Sequence, residues 1–257
     1  MAERVFIPDW PGLPVHIGVL STLRNGGVSV APYDDGSGIG GFNLASHVGD
    51  LTDHVLQNRA ILAQYLPATP VWLAQVHGTN VLDVGQPNDD LTADACFTTR
   101  PNVICAVQTA DCLPLLLCDA QNNVVAAAHA GWRGLLHGVI ENTLAAMLKA
   151  GAELEYIQVW LGPAIGVRRF EVGAEVRKQF VDASPEAQSA FKASTIRPEK
   201  YDADIYQLAR LRLLRAGVRS VAGGDFCTVS EPEKFYSYRR DGVTGRMASL
   251  IWIKERP

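Results

Sequence analysis

The sequence predicts an α+β fold, a single domain over 1–257 with mixed β-sheets packed with helices. Three observations lead there. Segments of strand character outnumber those of helical periodicity. Strands follow one another directly instead of alternating with helices, which argues against a doubly wound parallel sheet. A chain of 257 residues, 47% hydrophobic and 19% charged, buries a substantial core and lacks the composition of a disordered protein.

Residues 15–30 read as a short strand followed by a turn, with Asn25-Gly26-Gly27 as the breaker. A glycine-rich loop follows over 32–41. Helical spacing returns over 53–65, where Val55, Leu56, Ala60, Ile61 and Tyr65 recur at three- and four-residue steps and Thr52 or Asp53 can cap the start. Residues 71–76 read as a strand ending at His77-Gly78, and 80–84 begin another. Short strands follow over 94–98 and 103–109, turning at Arg100-Pro101-Asn102. Residues 113–118 and 124–129 make a second pair, after which 131–134 open a helix running to about Lys149, with Gly151 as its stop. A strand over 157–161, helices over 171–182 and 203–216, a polar loop over 184–200, a strand near 218–221 and a closing strand over 247–253 complete the order. Between the last two strands, 230–246 form a polar, basic and aromatic segment.

Composition narrows the function. A formal net charge of −4 is not the basic footprint of a general nucleic-acid binder. No apolar run approaches the roughly 18 residues of a membrane helix, and the opening MAERVFIPDWPG lacks the apolar stretch of a signal peptide. The expectation is a cytoplasmic protein that binds neither membrane nor nucleic acid; its oligomeric state is left open. Five cysteines, an odd number without CxxC spacing, do not form a disulfide framework.

Three segments stand at the ends of expected strands: Gln75-Val76-His77-Gly78, Ala110-Asp111-Cys112-Leu113-Pro114 and His129-Ala130-Gly131-Trp132-Arg133-Gly134. A lone histidine or cysteine in such a place is ordinarily structural. Taken together, His77, Cys112 and His129 offer two imidazoles and a thiolate, a set that suits zinc and leaves a fourth position open. The same residues also allow a Cys112 nucleophile with His129 as its base.

At these segments the chain resembles the YfiH-like family, also called the laccase-domain or multicopper polyphenol oxidoreductase family. The resemblance is carried by QVHG (75–78), ADCLP (110–114), HAGWRG (129–134) and GPAIG (162–166), with FNLASHVGD (42–50), TADACFT (92–98) and YSYRRDGVTGR (236–246) in the same order. It implies a metal site of His77, Cys112 and His129 holding zinc, with copper as the alternative. It implies phosphorolysis of adenosine, inosine, guanosine and S-methyl-5′-thioadenosine, and hydrolytic deamination of adenosine, so that a purine nucleoside and phosphate are the expected small-molecule partners. Some bacterial members are linked instead to peptidoglycan editing, the removal of a misplaced serine from a cell-wall precursor. Laccase chemistry is the third alternative, but six histidines without HxH pairs do not supply an imidazole-rich copper cluster, although a His2Cys set binds copper(II) tightly.

Within this frame Asp111 and Asp94 are the candidate carboxylates for proton transfer, each with a structural alternative: Asp111 as a partner orienting a ligand histidine, Asp94 as a turn or cap residue. The phosphate candidates are Arg133, at the start of a helix whose amides can face an anion, and the pair Arg239 and Arg240. Phe42, Asn43 and His47 are candidates for the base or ribose pocket. Trp132, Tyr236 and Tyr238 are candidates to stack a purine, and His137 is assigned to packing or surface.

Overall fold

The computed structural model describes residues 3–195 and 197–255. Met1, Ala2, Ile196, Arg256 and Pro257 lie outside the described residues, and with them the two ends of the 1–257 domain reading and one position of the 184–200 loop.

In chain order the strands are β1 (Val5–Phe6), β2 (Ile17–Thr22), β3 (Asn25–Ser29), β4 (Val81–Asp83), β5 (Ala95–Thr98), β6 (Ile104–Thr109) and β7 (Leu113–Asp119). They continue as β8 (Val125–Ala130), β9 (Ile157–Leu161), β10 (Glu171–Gly173), β11 (Phe191–Ala193), β12 (Lys200–Ala203), β13 (Ser220–Gly223) and β14 (Met247–Ile253). The helices are α1 (Thr52–Ala63), α2 (Trp132–His137), α3 (Val139–Lys149), α4 (Ala174–Ala183), α5 (Ile205–Arg215) and the short α6 (Tyr238–Asp241).

Two sheets carry the architecture. One has the order β1-β2-β14-β6; the other has the order β13-β9-β7-β8-β5-β4 and is mixed, since its outer pairs β13/β9 and β4/β5 are parallel and its inner pairs antiparallel. A third, small sheet joins β10, β12 and β11. Period-two alternation explains how the layers stack. In β7, Leu113, Leu115 and Leu117 face a core shared with α3, α4 and α5, while Leu116 and Cys118 face the space between the two large sheets. In β14, Ile251 and Ile253 face that same space, and Ala248, Leu250 and Trp252 face Leu62 of α1. The result is helix, sheet, sheet, helix. Strands buried on both faces read as continuous apolar runs, which is why 113–118 and 247–253 stand out in the sequence.

The α+β expectation holds, with several local corrections. Asn25-Gly26-Gly27 is not a turn but lies in β3: a Cβ on Gly27 would overlap the Gly41 carbonyl, so this glycine serves a close backbone approach. Residues 71–76 make only isolated bridges, Val71 with Cys105 and Ala74 with Thr92, because side chains of Gln75 and Asp94 take up the backbone groups a ladder would need. The helix expected over 131–149 is two helices, broken at Gly138, whose φ of 101° ends α2 and whose amide bonds back to Gly134. Residues 171–173 are strand β10, paired with β12, and α4 starts after Gly173. The 184–200 loop holds a 3₁₀ turn over Pro185–Ala190 and strand β11, with Ala187 and Ala190 in the core. Helix α1 starts from Leu51 without a side-chain cap, so neither Thr52 nor Asp53 plays that part. Helix α6 falls within the segment read as merely polar.

Gly18 of β2 lies opposite Trp252 of β14, and a Cβ there would overlap the indole. Gly18→Ala is expected to lower unfolding stability by about 2 kcal/mol through overpacking. Denaturant titration with an unchanged midpoint would contradict this packing.

Candidate metal centre

The end of β8, the link between β6 and β7, and the loop before β4 converge at one edge of the two-sheet sandwich. His129 is the penultimate residue of β8 and is 3% exposed. Cys112 is half-buried in the β6–β7 link, directly after Asp111, which holds a φ of 89°. His77 is exposed in a loop at a φ of 60°. Both positions hold the left-handed backbone that non-glycine residues rarely adopt.

One donor atom from each of His77, Cys112 and His129 lies within 4.8 Å of the others. Cys112 Sγ is 3.7 Å from His77 Nε2. Two ligands of a tetrahedral zinc, one sulfur and one nitrogen, stand about 3.6 Å apart, so this edge already has the span of a metal site. The two imidazole rings meet edge to face, with centroids 4.8 Å apart. Gly131 makes room for them: a Cβ there would sit 2.7 Å from His77 Cδ2 and 3.1 Å from Cys112 Sγ. Among the described residues this is the one cluster of three or more such donors.

Asp94 holds the arrangement together. Its carboxylate is fully buried and accepts from the backbone N–H groups of Val76 (3.1 Å), His77 (2.9 Å) and Gly78 (2.6 Å). It also contacts His129 Nδ1 at 2.8 Å, so that Nδ1 carries the proton and Nε2 is left for a ligand. Asp94 therefore has both the loop-capping contacts and the histidine contact that the sequence reading divided between Asp94 and Asp111. Asp111 is engaged elsewhere: it accepts from Thr228 Oγ1 (2.6 Å) and from the backbone of Arg239 (2.6 Å), anchoring the start of α6.

Burial pushes the Cys112 thiol up, but the charge on His129 and hydrogen bonds from both histidines outweigh it and bring the thiol down to about 6. Burial pushes His129 down, while the Cys112 thiolate and Asp94 raise it to about 9. In the metal-free protein the pair is thus thiolate and imidazolium at neutral pH.

Two cavities meet at Cys112. The larger, about 320 Å³, is the more polar of the two and is lined by the three donor residues with His47, Gln75, Gln108, Thr109, Ala110, Tyr238 and Arg246. The smaller, about 180 Å³, is walled by Trp132, Ile165, Phe170, Ile205 and Tyr238, with Asp111 and Arg239 at its polar side. Of the other residues singled out in the sequence, His47, Trp132, Tyr238 and Arg239 line one or the other. Several do not. Arg133 is exposed and stacks on Trp132 outside both cavities. Arg240 is tied to the carbonyls of Thr228 and Phe235 and to Asp241, fixing its own loop. Asn43 is buried and spends its amide on Ala45, Asp50 and Arg246 backbone and side-chain partners. Phe42 and Tyr236 are core residues, the Tyr236 hydroxyl donating to the Tyr33 carbonyl, and His137 is exposed at the end of α2. Arg246, Gln108 and Phe170 were not singled out, because strand ends and loop arginines carry no spacing that distinguishes them from ordinary structure.

Residues 18–254 match the family described as multi-copper polyphenol oxidoreductase laccase. The purine nucleoside phosphorylase YfiH of Shigella flexneri is 50% identical over 254 residues, 98% of this chain and 99% of that protein. A purine nucleoside phosphorylase of Pseudomonas aeruginosa is 50% identical over 248 residues, 96% of this chain and 98% of that one. Among solved structures, a Neisseria meningitidis protein superposes with a TM-score of 0.89 at 46% identity, covering 98% of this chain and 100% of its own. YlmD from Geobacillus stearothermophilus does so with 0.87 at 28%, covering 99% and 98%. No helix among the described residues is long and apolar enough to cross a membrane.

Alkylation of Cys112 in metal-free protein, followed by peptide mass spectrometry, is expected to rise through a midpoint near pH 6, because the thiolate is lost only as pH falls through its lowered value. His129→Ala is expected to move that midpoint up towards ordinary thiol values. A wild-type midpoint near pH 9 would refute the ion pair.

Proposed function

For a chain that belongs to the multi-copper polyphenol oxidoreductase laccase family, we propose a zinc-dependent purine nucleoside enzyme that cleaves adenosine, inosine, guanosine and S-methyl-5′-thioadenosine with phosphate, and deaminates adenosine to inosine. The observation that carries this reading is the position of the donor triad, at the junction of a polar cavity and an aromatic one. The curated relatives named purine nucleoside phosphorylases support it.

The aromatic cavity suits a purine: Trp132, Phe170 and Tyr238 offer ring faces, and Asp111 offers a carboxylate to a ring N–H. The polar cavity suits ribose and phosphate, with Arg246 as the guanidinium and His47 at its wall. This moves the phosphate contact from Arg133 and Arg240 to Arg246, with Arg239 beside the base. In phosphorolysis a phosphate oxygen bonds to C1′ as the C1′–N9 bond breaks. The electron pair and one proton go to the purine, giving free base and ribose 1-phosphate. Zinc held by His77, Cys112 and His129 would supply Lewis-acid polarisation at its open fourth position. His129, oriented by Asp94, keeps Nε2 available as a ligand to the ion, while Arg246 binds and orients the anion. For deamination, Asp111 is the carboxylate assigned to carry the proton, since it lines the cavity given to the base and Asp94 does not.

A second reading rests on a specific observation. Cys112, His129 and Asp94 also stand in the order nucleophile, base and orienting carboxylate, the arrangement of a cysteine hydrolase, for which the family resemblance implies a cell-wall precursor as substrate. Chelation separates the two. Under the zinc reading, metal removal abolishes phosphate-dependent release of hypoxanthine from inosine, added zinc restores it, and His77→Ala lowers kcat/KM at least a hundredfold with the fold intact. Turnover that survives chelation but is blocked by alkylation of Cys112 would replace it with the second reading.

A further inference from the structure

Gln108 is the next-to-last residue of β6, and its main chain is fixed from one side by Gln75. The Gln75 amide accepts from Gln108 N at 2.7 Å and donates to Gln108 O at 2.8 Å. This double clamp holds the strand end where it opens into the polar cavity. The Gln108 side chain lines that cavity with His77, Cys112, His129 and Arg246 and is 6% exposed. Its Nε2 is buried and has no acceptor among the described residues. Buried amide donors in folded proteins are nearly always paired, so an orphan that lines a cavity points to a ligand acceptor there.

The neighbours specify the acceptor. Arg246 brings a guanidinium whose Nη1 already donates to the Thr244 and Gly245 carbonyls and whose other N–H groups are donors with no lone pair to offer. A ligand group that satisfies both Arg246 and the Gln108 N–H must be rich in acceptors and favoured by positive charge. A phosphate oxygen meets both demands, whereas the apolar atoms and N–H edges of a purine suit the aromatic cavity.

We propose that Gln108 is a phosphate-binding residue, its amide N–H donating to a phosphate oxygen whose neighbours are held by Arg246. The assignment rests on the nucleoside reading above. It gives the site a means of favouring phosphate over water as the attacking group, because phosphate brings several acceptor oxygens and a negative charge to Gln108 and Arg246.

The test uses metal-loaded protein with inosine and inorganic phosphate, in wild type, Gln108→Met and the isosteric Gln108→Glu. The KM for phosphate is expected to rise at least tenfold in Gln108→Met and further in Gln108→Glu, with the KM for inosine and kcat at saturating phosphate within about twofold, as for loss of one hydrogen bond to an anion. Direct calorimetric titration with phosphate should show the same loss of affinity. A rise in the KM for inosine with that for phosphate unchanged would overturn the proposal while leaving the nucleoside reading in place. Wild-type protein that binds phosphate in a Gln108-dependent way yet cleaves no nucleoside would uphold the phosphate site and remove the nucleoside reading. Wild-type protein that binds no phosphate would overturn both.

Discussion

The Asp94 carboxylate is the contact on which the site depends. Three backbone N–H groups of the His77 loop and the Nδ1 of His129 all end on its two oxygens. A wholly buried carboxylate is costly unless its lone pairs are filled. Burial would raise its pKa, but these hydrogen bonds and the His129 charge leave it lowered, so it stays ionised. The same bonds give an irregular loop the fixed backbone that it lacks from sheet pairing. Two histidines distant in sequence are thereby brought to one point, and Cys112 reaches it from a link whose backbone is bent at Asp111.

That point lies between two chemically different spaces. The sheet edge supplies a polar chamber with Arg246 and Gln108, while α2, α5 and the 165–170 segment supply an aromatic and aliphatic one. A substrate that is anionic or hydroxylated at one end and a flat heterocycle at the other fits such a pair of chambers. Its reacting bond would then lie near Cys112, where the chambers join. Tyr238, 61% exposed and common to both cavities, stands at the boundary between them.

The large features were legible in the sequence for identifiable reasons. Strands buried on both faces announce themselves as apolar runs, as in Leu113–Asp119 and Met247–Ile253. The donor triad was legible only when its three segments were taken together with the family resemblance, since a lone histidine or cysteine at a strand end is ordinarily structural. Tertiary contacts hid the rest. The strand pattern at 71–76 is outcompeted by side-chain hydrogen bonds from Gln75 and Asp94, which no local window contains. Arg133 and Arg240 have the sequence context of anion binders, yet one stacks on its neighbour Trp132 and the other is consumed by loop carbonyls. Arg246 and Gln108 gain their meaning only from the cavity that they line.

The central claim is that two imidazole nitrogens and one thiolate converge on a single ion with a position left open. X-ray absorption at the zinc edge of the zinc-loaded protein measures this most directly. The account predicts one sulfur at about 2.3 Å and two imidazole nitrogens at about 2.0 Å, with a light atom completing the shell. A shell without sulfur, or with imidazole scattering unchanged after His129→Ala, would contradict it.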